Sequence, residues 1–139
     1  MRIVVDTNVL VAATSSAAGA SREVLRRCLL GRYEPLMGQA LFAEYEAVLA
    51  RSDLFRRSPV SAGERDALWA AVIGRCKWVR VFYLWRPNLP DEADNHLVEL
   101  AVAGNAKAIA THNTRDFDRT ELRFPELRIV TPATLIAGH

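Results

Sequence analysis

The sequence predicts an α/β fold with a mainly parallel β-sheet, built as one domain over residues 1–139. Short runs of β-branched apolar residues, of which residues 3–5 are the clearest, are typical of strands buried on both faces in parallel sheets. Segments with apolar residues at helical spacing separate these runs, and this alternation favours β–α units. The length fits one compact domain, and no internal repeat indicates a second one.

The chain divides into alternating strands and helices. The predicted strands are residues 3–5, 34–37, 78–82, 107–110 and 128–130. The predicted helices are residues 21–30, 39–51, 61–75 and 91–103, followed by a short final helix. Residues that commonly begin or end helices support these bounds. The residues are Ser21, Gly31, Ser61 with Glu64, Asp91, Gly104, and Thr131 with Pro132.

Composition narrows the class of protein without naming a function. The formal net charge of +2 does not by itself indicate nucleic-acid binding. No apolar run approaches the roughly 18 residues of a membrane span, and no signal-peptide pattern is visible. Cys28 and Cys76 lack metal-type spacing and are interpreted as buried thiols. We therefore expect a cytoplasmic protein.

Four acidic residues stand at predicted strand ends or on inward helix faces. Asp6 follows the first strand, and Glu44 borders the apolar stripe of the helix over 39–51. Asp94 lies in the first turn of the helix after the third strand, and Asp116 follows the fourth strand. The carboxyl ends of parallel strands share one edge of the sheet, so these acids could converge there.

Each acid also has an ordinary explanation. Asp6 could turn the chain, and Glu44 could be a partly exposed helix residue. Acids such as Asp91 and Asp94 are common at helix N-termini, and Asp116 could be a turn residue. The hypothesis of a shared site therefore depends on the order of the four acids and not on any one of them.

Converging carboxylates would need protons or cations. Two of them about 4 Å apart repel by about 4 kcal/mol at an effective dielectric constant of about 20. Oxygen ligands without His or Cys suit Mg²⁺ or Mn²⁺. Such ions favour metal-assisted hydrolysis of a phosphodiester.

Four segments together resemble the PIN domain ribonucleases, especially the branch of toxins from toxin–antitoxin systems. The segments are VVDTNVL (4–10), LFAEYEAVL (41–49), DEADNHLVELA (91–101) and ATHNTRDF (110–117). The resemblance implies a Rossmann-like α/β/α sandwich and Mg²⁺- or Mn²⁺-dependent cleavage of RNA. It also implies that Asp6, Glu44 and Asp94 are the three core acids and that Thr7 and Asn8 line the site.

The fourth acid departs from the family pattern. Many members carry an acid where this chain has Asn113. The resemblance implies that Asp116, three residues further on, takes the role of that acid, as in members with Asn at this point. Asn113 would then contact substrate. Asp91 matches a further acid of the branch or acts as a helix cap. This departure leaves open whether one or two metal ions bind.

The mechanism that the resemblance implies assigns roles to the four acids and to one arginine. Asp6, Asp94 and Asp116 would hold the metal ion. Glu44 would position or deprotonate the attacking water. Arg115 would contact the RNA backbone.

The resemblance also implies partners. These are an RNA substrate and a cognate antitoxin. A dimer is expected for a different reason, because the apolar and aromatic side chains exceed what a minimal sheet core requires and some of them could form a dimer face or an antitoxin groove. His112 is interpreted as a neighbour of the site or an RNA contact. Trp69, Trp78 and Trp85 fit either an interface or the core equally well.

Two other functions remain open. Phosphotransferases with an aspartyl nucleophile also place Asp after the first strand, but the haloacid dehalogenase type usually has a second Asp where this chain has Asn8. Alternatively, the chain could be a weakly active or inactive module that binds RNA or protein. The departure at Asn113 supports that second possibility.

Overall fold

A central parallel sheet confirms the predicted α/β class. The computed structural model describes residues 1–15, 19–56, 58–81, 95–117, 120 and 123–138. Its five strands are β1 (Arg2–Val5), β2 (Glu34–Met37), β3 (Lys77–Trp78), β4 (Ala108–Ala110) and β5 (Arg128–Val130). All neighbouring strands pair in parallel, in the order β3-β2-β1-β4-β5, so β1 occupies the centre.

Helices connect and flank these strands. In the described ranges they are α1 (Thr7–Ser15), α2 (Ala20–Leu29), α3 (Gln39–Leu49), α4 (Ala62–Arg75), α5 (Asn95–Ala103) and α6 (Pro132–Ala137). Short 3₁₀ turns cover Ser52–Phe55 and Thr114–Phe117. None of the helices in the described part of the chain has both the length and the hydropathy needed to cross a bilayer.

The register of the sheet decides which residues meet at its carboxyl edge. Val5 of β1 pairs with Ala110 of β4. The residues that follow them, Asp6 and Thr111, are therefore neighbours. The ladder continues past β1, because the Asp6 N–H donates to the Ala110 carbonyl at 3.0 Å.

The core surrounds the two central strands. Helix α5 packs against β1, β2 and β4, and α1 and α2 pack against each other. The largest fully buried side chains include Ile3, Leu10, Leu25, Leu36, Trp69, Leu97 and Ile109. The predicted strands at 34–37 and 128–130 are confirmed, and those at 3–5 and 107–110 are confirmed to within one residue.

Several end signals act as predicted. Gly31 follows α2 with a φ of 80°. Ser61 Oγ accepts the Glu64 N–H at 3.2 Å, and Thr131 Oγ1 accepts the Thr134 N–H at 3.2 Å. These bonds pair backbone donors that a helix N-terminus leaves unsatisfied.

Two predictions of local structure were wrong, and one helix was not predicted. The strand predicted at 78–82 is the two-residue β3 in the structure. Both of its side chains are exposed at the sheet edge, so they give no alternation of buried and exposed residues. The last residue of the predicted strand lies outside the described residues. Gly19 and not Ser21 precedes α2, and Ser21 is buried inside that helix. Helix α1 had no prediction, since its buried face includes Thr7 and Thr14 and so hides the apolar stripe.

Trp69 is a core residue at 1% exposure, whereas Trp78 is 54% exposed. Trp85 lies outside the described residues, as does the start of the helix predicted from Asp91.

Gly104 follows α5, but its small size matters more than its backbone freedom. The left-handed conformation after the helix belongs to Asn105, with a φ of 57°. A β-carbon on Gly104 would overlap Leu36 Cδ1 and lie 3.2 Å from Val79 Cγ2. The glycine therefore allows the end of α5 to approach β2 closely.

We predict that Gly104→Ala lowers the free energy of unfolding by about 1–3 kcal/mol, because Leu36 is fully buried and cannot move aside without repacking. Gly74→Ala is the matched control, since a β-carbon there meets nothing within 4 Å in α4. The control should be neutral or gain up to about 1 kcal/mol. Urea unfolding measures both, and a Gly104→Ala protein as stable as the control would contradict the packing.

Candidate active site

Asp6 is a buried acid at the carboxyl end of the central strand. It is 6% exposed. Its Oδ2 accepts a hydrogen bond of 2.8 Å from Thr111 Oγ1, and its Oδ1 lies 3.3 Å from Thr7 Oγ1. Its backbone carbonyl accepts the Val9 N–H at 3.0 Å, so Asp6 also begins α1. A carboxylate taken out of water needs partners of this kind.

Glu44 reaches the same place from α3. Thr7 Oγ1 makes a short hydrogen bond to Glu44 Oε1. On the other side, His96 Nε2 lies 2.8 Å from Glu44 Oε2. Because a hydroxyl has one proton and its contact with Asp6 is the longer one, Thr7 donates to Glu44. Thr7 therefore links the two carboxylates and leaves Asp6 Oδ1 as the less engaged oxygen.

Thr111 holds Asp6 in one orientation. Its hydroxyl accepts from Asn8 Nδ2 at 3.3 Å and from the Asn113 N–H at 3.1 Å. Those two donors direct the single Thr111 proton towards Asp6. Asn8 also accepts the His112 N–H on its Oδ1 at 3.3 Å. The loop after β4 is thus attached to the start of α1.

The two carboxyl groups have pKa values shifted in opposite directions. Burial raises the pKa of Asp6, and the charge of Glu44 raises it further, against the hydrogen bonds from Thr111 and Thr7. The hydrogen bond from His96 lowers the pKa of Glu44. Opposed shifts in neighbouring acids are common at functional sites but also occur in structural networks.

The structure brings together part of the predicted site. Asp6, Thr7, Asn8 and Glu44 form one hydrogen-bonded group with Thr111. Asp94 lies outside the described residues, as does Asp91.

The loop after β4 supplies the remaining predicted residues. Asp116 is half-buried in the turn Thr114–Phe117, where its N–H donates to the Asn113 carbonyl at 3.2 Å. Asn113 and Arg115 are exposed. His112 is also exposed, and its Nε2 lies 3.0 Å from Ser21 Oγ.

Sequence reasoning missed Thr111 and His96. Thr111 directly follows β4, so the rule that selected Asp6 at a strand end could have selected it too. His96 stands two positions after Asp94, but its partner Glu44 is 52 residues away, and no local pattern indicates that pairing.

The donor atoms at this edge fit a hard divalent cation in type. Asp6 and Glu44 provide carboxylate oxygens, and the rise in the Asp6 pKa reflects burial and negative charge that a cation would offset. Among the described residues, no three His, Cys, Asp or Glu side chains are grouped closely enough to hold a metal ion. Asp116 is among these residues and is not grouped with Asp6 and Glu44, so the structure does not bring it into the candidate site. The predicted ligand set of Asp6, Asp94 and Asp116 therefore remains a prediction.

We predict that Asp6→Asn stabilises the protein in chelator at neutral pH, raising the midpoint of thermal unfolding by a few degrees. The folded state holds the Asp6 proton above the ordinary pKa of 3.8, so the wild type loses stability as pH rises from there through the raised pKa. The advantage of the variant should disappear at acidic pH.

The control is Asp53→Asn, an exposed acid 3.2 Å from Arg51, which should change stability little at either pH. A variant at Asp6 that is less stable than the wild type in chelator at neutral pH would contradict the assignment of a buried, partly uncompensated charge.

Comparisons with known proteins give the family. The sequence matches the PIN domain model over residues 2–115. Among solved structures, the fold is similar to a chain of VapBC2 from Rickettsia felis, crystallised with a DNA fragment from their promoter. That likeness has a TM-score of 0.62 and 15% sequence identity, and it covers 93% of this chain and 97% of that chain. A search of curated proteins gave no significant match. Because the family model spans most of the sequence, the chain belongs to the PIN domain family.

Proposed function

We propose that this protein is a metal-dependent endoribonuclease and the toxin of a toxin–antitoxin pair. The observation that carries the proposal is the linked pair of carboxylates, Asp6 and Glu44, at the carboxyl edge of the parallel sheet. A buried carboxylate beside a second carboxylate lowers stability unless a bound cation or substrate interacts with it. Membership of the PIN domain family supports the same conclusion.

Asp6 would hold Mg²⁺ or Mn²⁺ through Oδ1, with Asp94 and Asp116 as the further ligands. Thr111 occupies Oδ2, which favours Oδ1 for this role. When bound, the ion would neutralise charge that develops on the phosphate during hydrolysis.

Glu44 would orient the attacking water. Its lowered pKa keeps the carboxylate ionised at neutral pH, so it accepts a hydrogen bond well but is a weak base. Of the two roles that the family resemblance implies, orientation of water is therefore favoured over removal of its proton. The 32% exposure of the side chain leaves room for a water molecule.

The RNA backbone would lie over the loop after β4. Arg115 and Asn113 are exposed there, close in sequence to Thr111, which contacts Asp6. Arg can form paired hydrogen bonds to a phosphate, and Asn can contribute a single one.

A partner protein is part of the proposal. The solved neighbour belongs to a VapBC2 complex bound to promoter DNA. We propose by analogy that this chain pairs with an antitoxin, forms a dimer and acts on RNA in the cytoplasm.

One alternative is a PIN-fold module that binds RNA or protein with little or no cleavage. It is favoured by Asn113, which stands where many PIN domains carry an acid, and by the fact that only two acids, Asp6 and Glu44, meet in the described part of the site. The two functions differ in whether Mn²⁺ binds and whether RNA is cut.

We predict Mn²⁺-dependent cleavage of single-stranded RNA by the purified protein. Asp6→Asn should abolish cleavage and also the rise in thermal stability that Mn²⁺ gives the wild type. Glu44→Gln should lower kcat by about 10²-fold, because it removes a charged group that orients water.

Glu46→Gln is the matched control, since Glu46 lies on the same helix but is exposed. It should cleave RNA as the wild type does. If the wild type and Asp6→Asn are equally inert and Mn²⁺ stabilises neither, the nuclease proposal is wrong; retained RNA binding would then favour the alternative.

A further inference from the structure

His96 contacts the proposed catalytic machinery from α5, although no feature of the sequence indicated a role for this residue. It lies in the first described turn of α5, and its Nε2 is 2.8 Å from Glu44 Oε2. We propose that His96 is a positioning residue that holds the Glu44 carboxylate in the orientation needed to align the attacking water. This inference rests on the proposed ribonuclease function.

The hydrogen bonds of Glu44 support this role. Thr7 donates to Oε1 and His96 donates to Oε2, so each oxygen is held by a different element, α1 and α5. A glutamate has three rotatable side-chain bonds, and Glu44 is 32% exposed, so packing alone would not fix its carboxylate. The two bonds together select one orientation.

The same contacts argue against a direct chemical role for His96. A carboxylate only accepts hydrogen bonds, so the Nε2 that faces Glu44 carries a proton and has no lone pair for a metal ion. Nδ1 is buried from solvent and has no hydrogen-bond partner among the described residues. Neither nitrogen is therefore placed to ligate metal or contact substrate, and His96 acts through Glu44.

Positioning by His96 predicts a specific kinetic defect. Removal of a side chain that orients a functional group without contacting the substrate typically lowers activity by about 10–100-fold. Because Asp6, and not Glu44, is the proposed ligand, metal affinity should stay unchanged. An interaction that matters only in the transition state lowers kcat and leaves KM unchanged.

The test compares His96→Leu with His96→Gln and His96→Asn. The Gln amide nitrogen can reach the place of Nε2, whereas the shorter Asn side chain cannot. We expect kcat to fall about 10–100-fold in the Leu and Asn variants and to recover at least in part in the Gln variant. KM for RNA and the Kd for Mn²⁺, measured by calorimetry, should stay within about threefold of the wild type.

Because the Leu variant could impair folding, comparison of the Asn and Gln variants provides a test that uses polar side chains only. The melting temperature of each variant identifies a folding defect. The proposal is overturned if the Asn variant keeps full kcat, or if the Gln variant is as impaired as the Asn variant. It is also overturned if Mn²⁺ affinity falls together with activity, since His96 would then be a ligand.

A further measurement separates this inference from the proposed function. In metal-free protein, a long-range ¹H–¹⁵N spectrum should show His96 protonated at Nε2, and the Nε2 shift should move in Glu44→Gln but not in Glu46→Gln. An inert wild type with this signature would refute the nuclease proposal while keeping the contact. A shift unaffected by Glu44→Gln would refute the positioning role.

Discussion

The burial of one carboxylate constrains the rest of this site. Asp6 ends the central strand of the sheet, where it is almost fully removed from water. Its backbone is fixed by pairing with Ala110, and its side chain accepts a hydrogen bond from the Thr111 hydroxyl. The Thr7 hydroxyl, which donates to Glu44, lies 3.3 Å from its other oxygen. These contacts only partly compensate for lost hydration, and the nearby Glu44 adds repulsion. The site is therefore preorganised for positive charge.

Parallel topology explains how distant residues reach this place. The register that pairs Val5 with Ala110 puts Asp6 beside Thr111, although 105 residues separate them. Helices α3 and α5 pack on each other, which lets Glu44 meet His96. The contacts among Asp6, Thr111, Glu44 and His96 thus follow from the register of two strands and the packing of two helices.

The sequence predicted the parts of the fold whose signals are local. Buried strands such as β1 and β4 carry continuous apolar runs, and the caps at Ser61 and Thr131 depend on neighbours within three residues. It failed at β3, where both side chains are exposed at the sheet edge. It also failed at Ser21, since a capping hydroxyl and one that contacts a distant His112 look alike in a sequence.

The candidate site was predictable to the extent that strand ends are predictable. Asp6 and Glu44 were selected correctly as neighbours because one follows a buried strand and the other borders an apolar stripe. Thr111 also follows a buried strand, so the rule that selected Asp6 could have selected it. His96 needed the tertiary structure, because its partner Glu44 is 52 residues away. The most direct test of the central claim is a crystal structure grown with Mn²⁺, read by its anomalous signal. We predict a peak ligated by Asp6, Asp94 and Asp116, with Glu44 still bonded to Thr7 and His96. The absence of metal at Asp6 under saturating Mn²⁺ would contradict the claim.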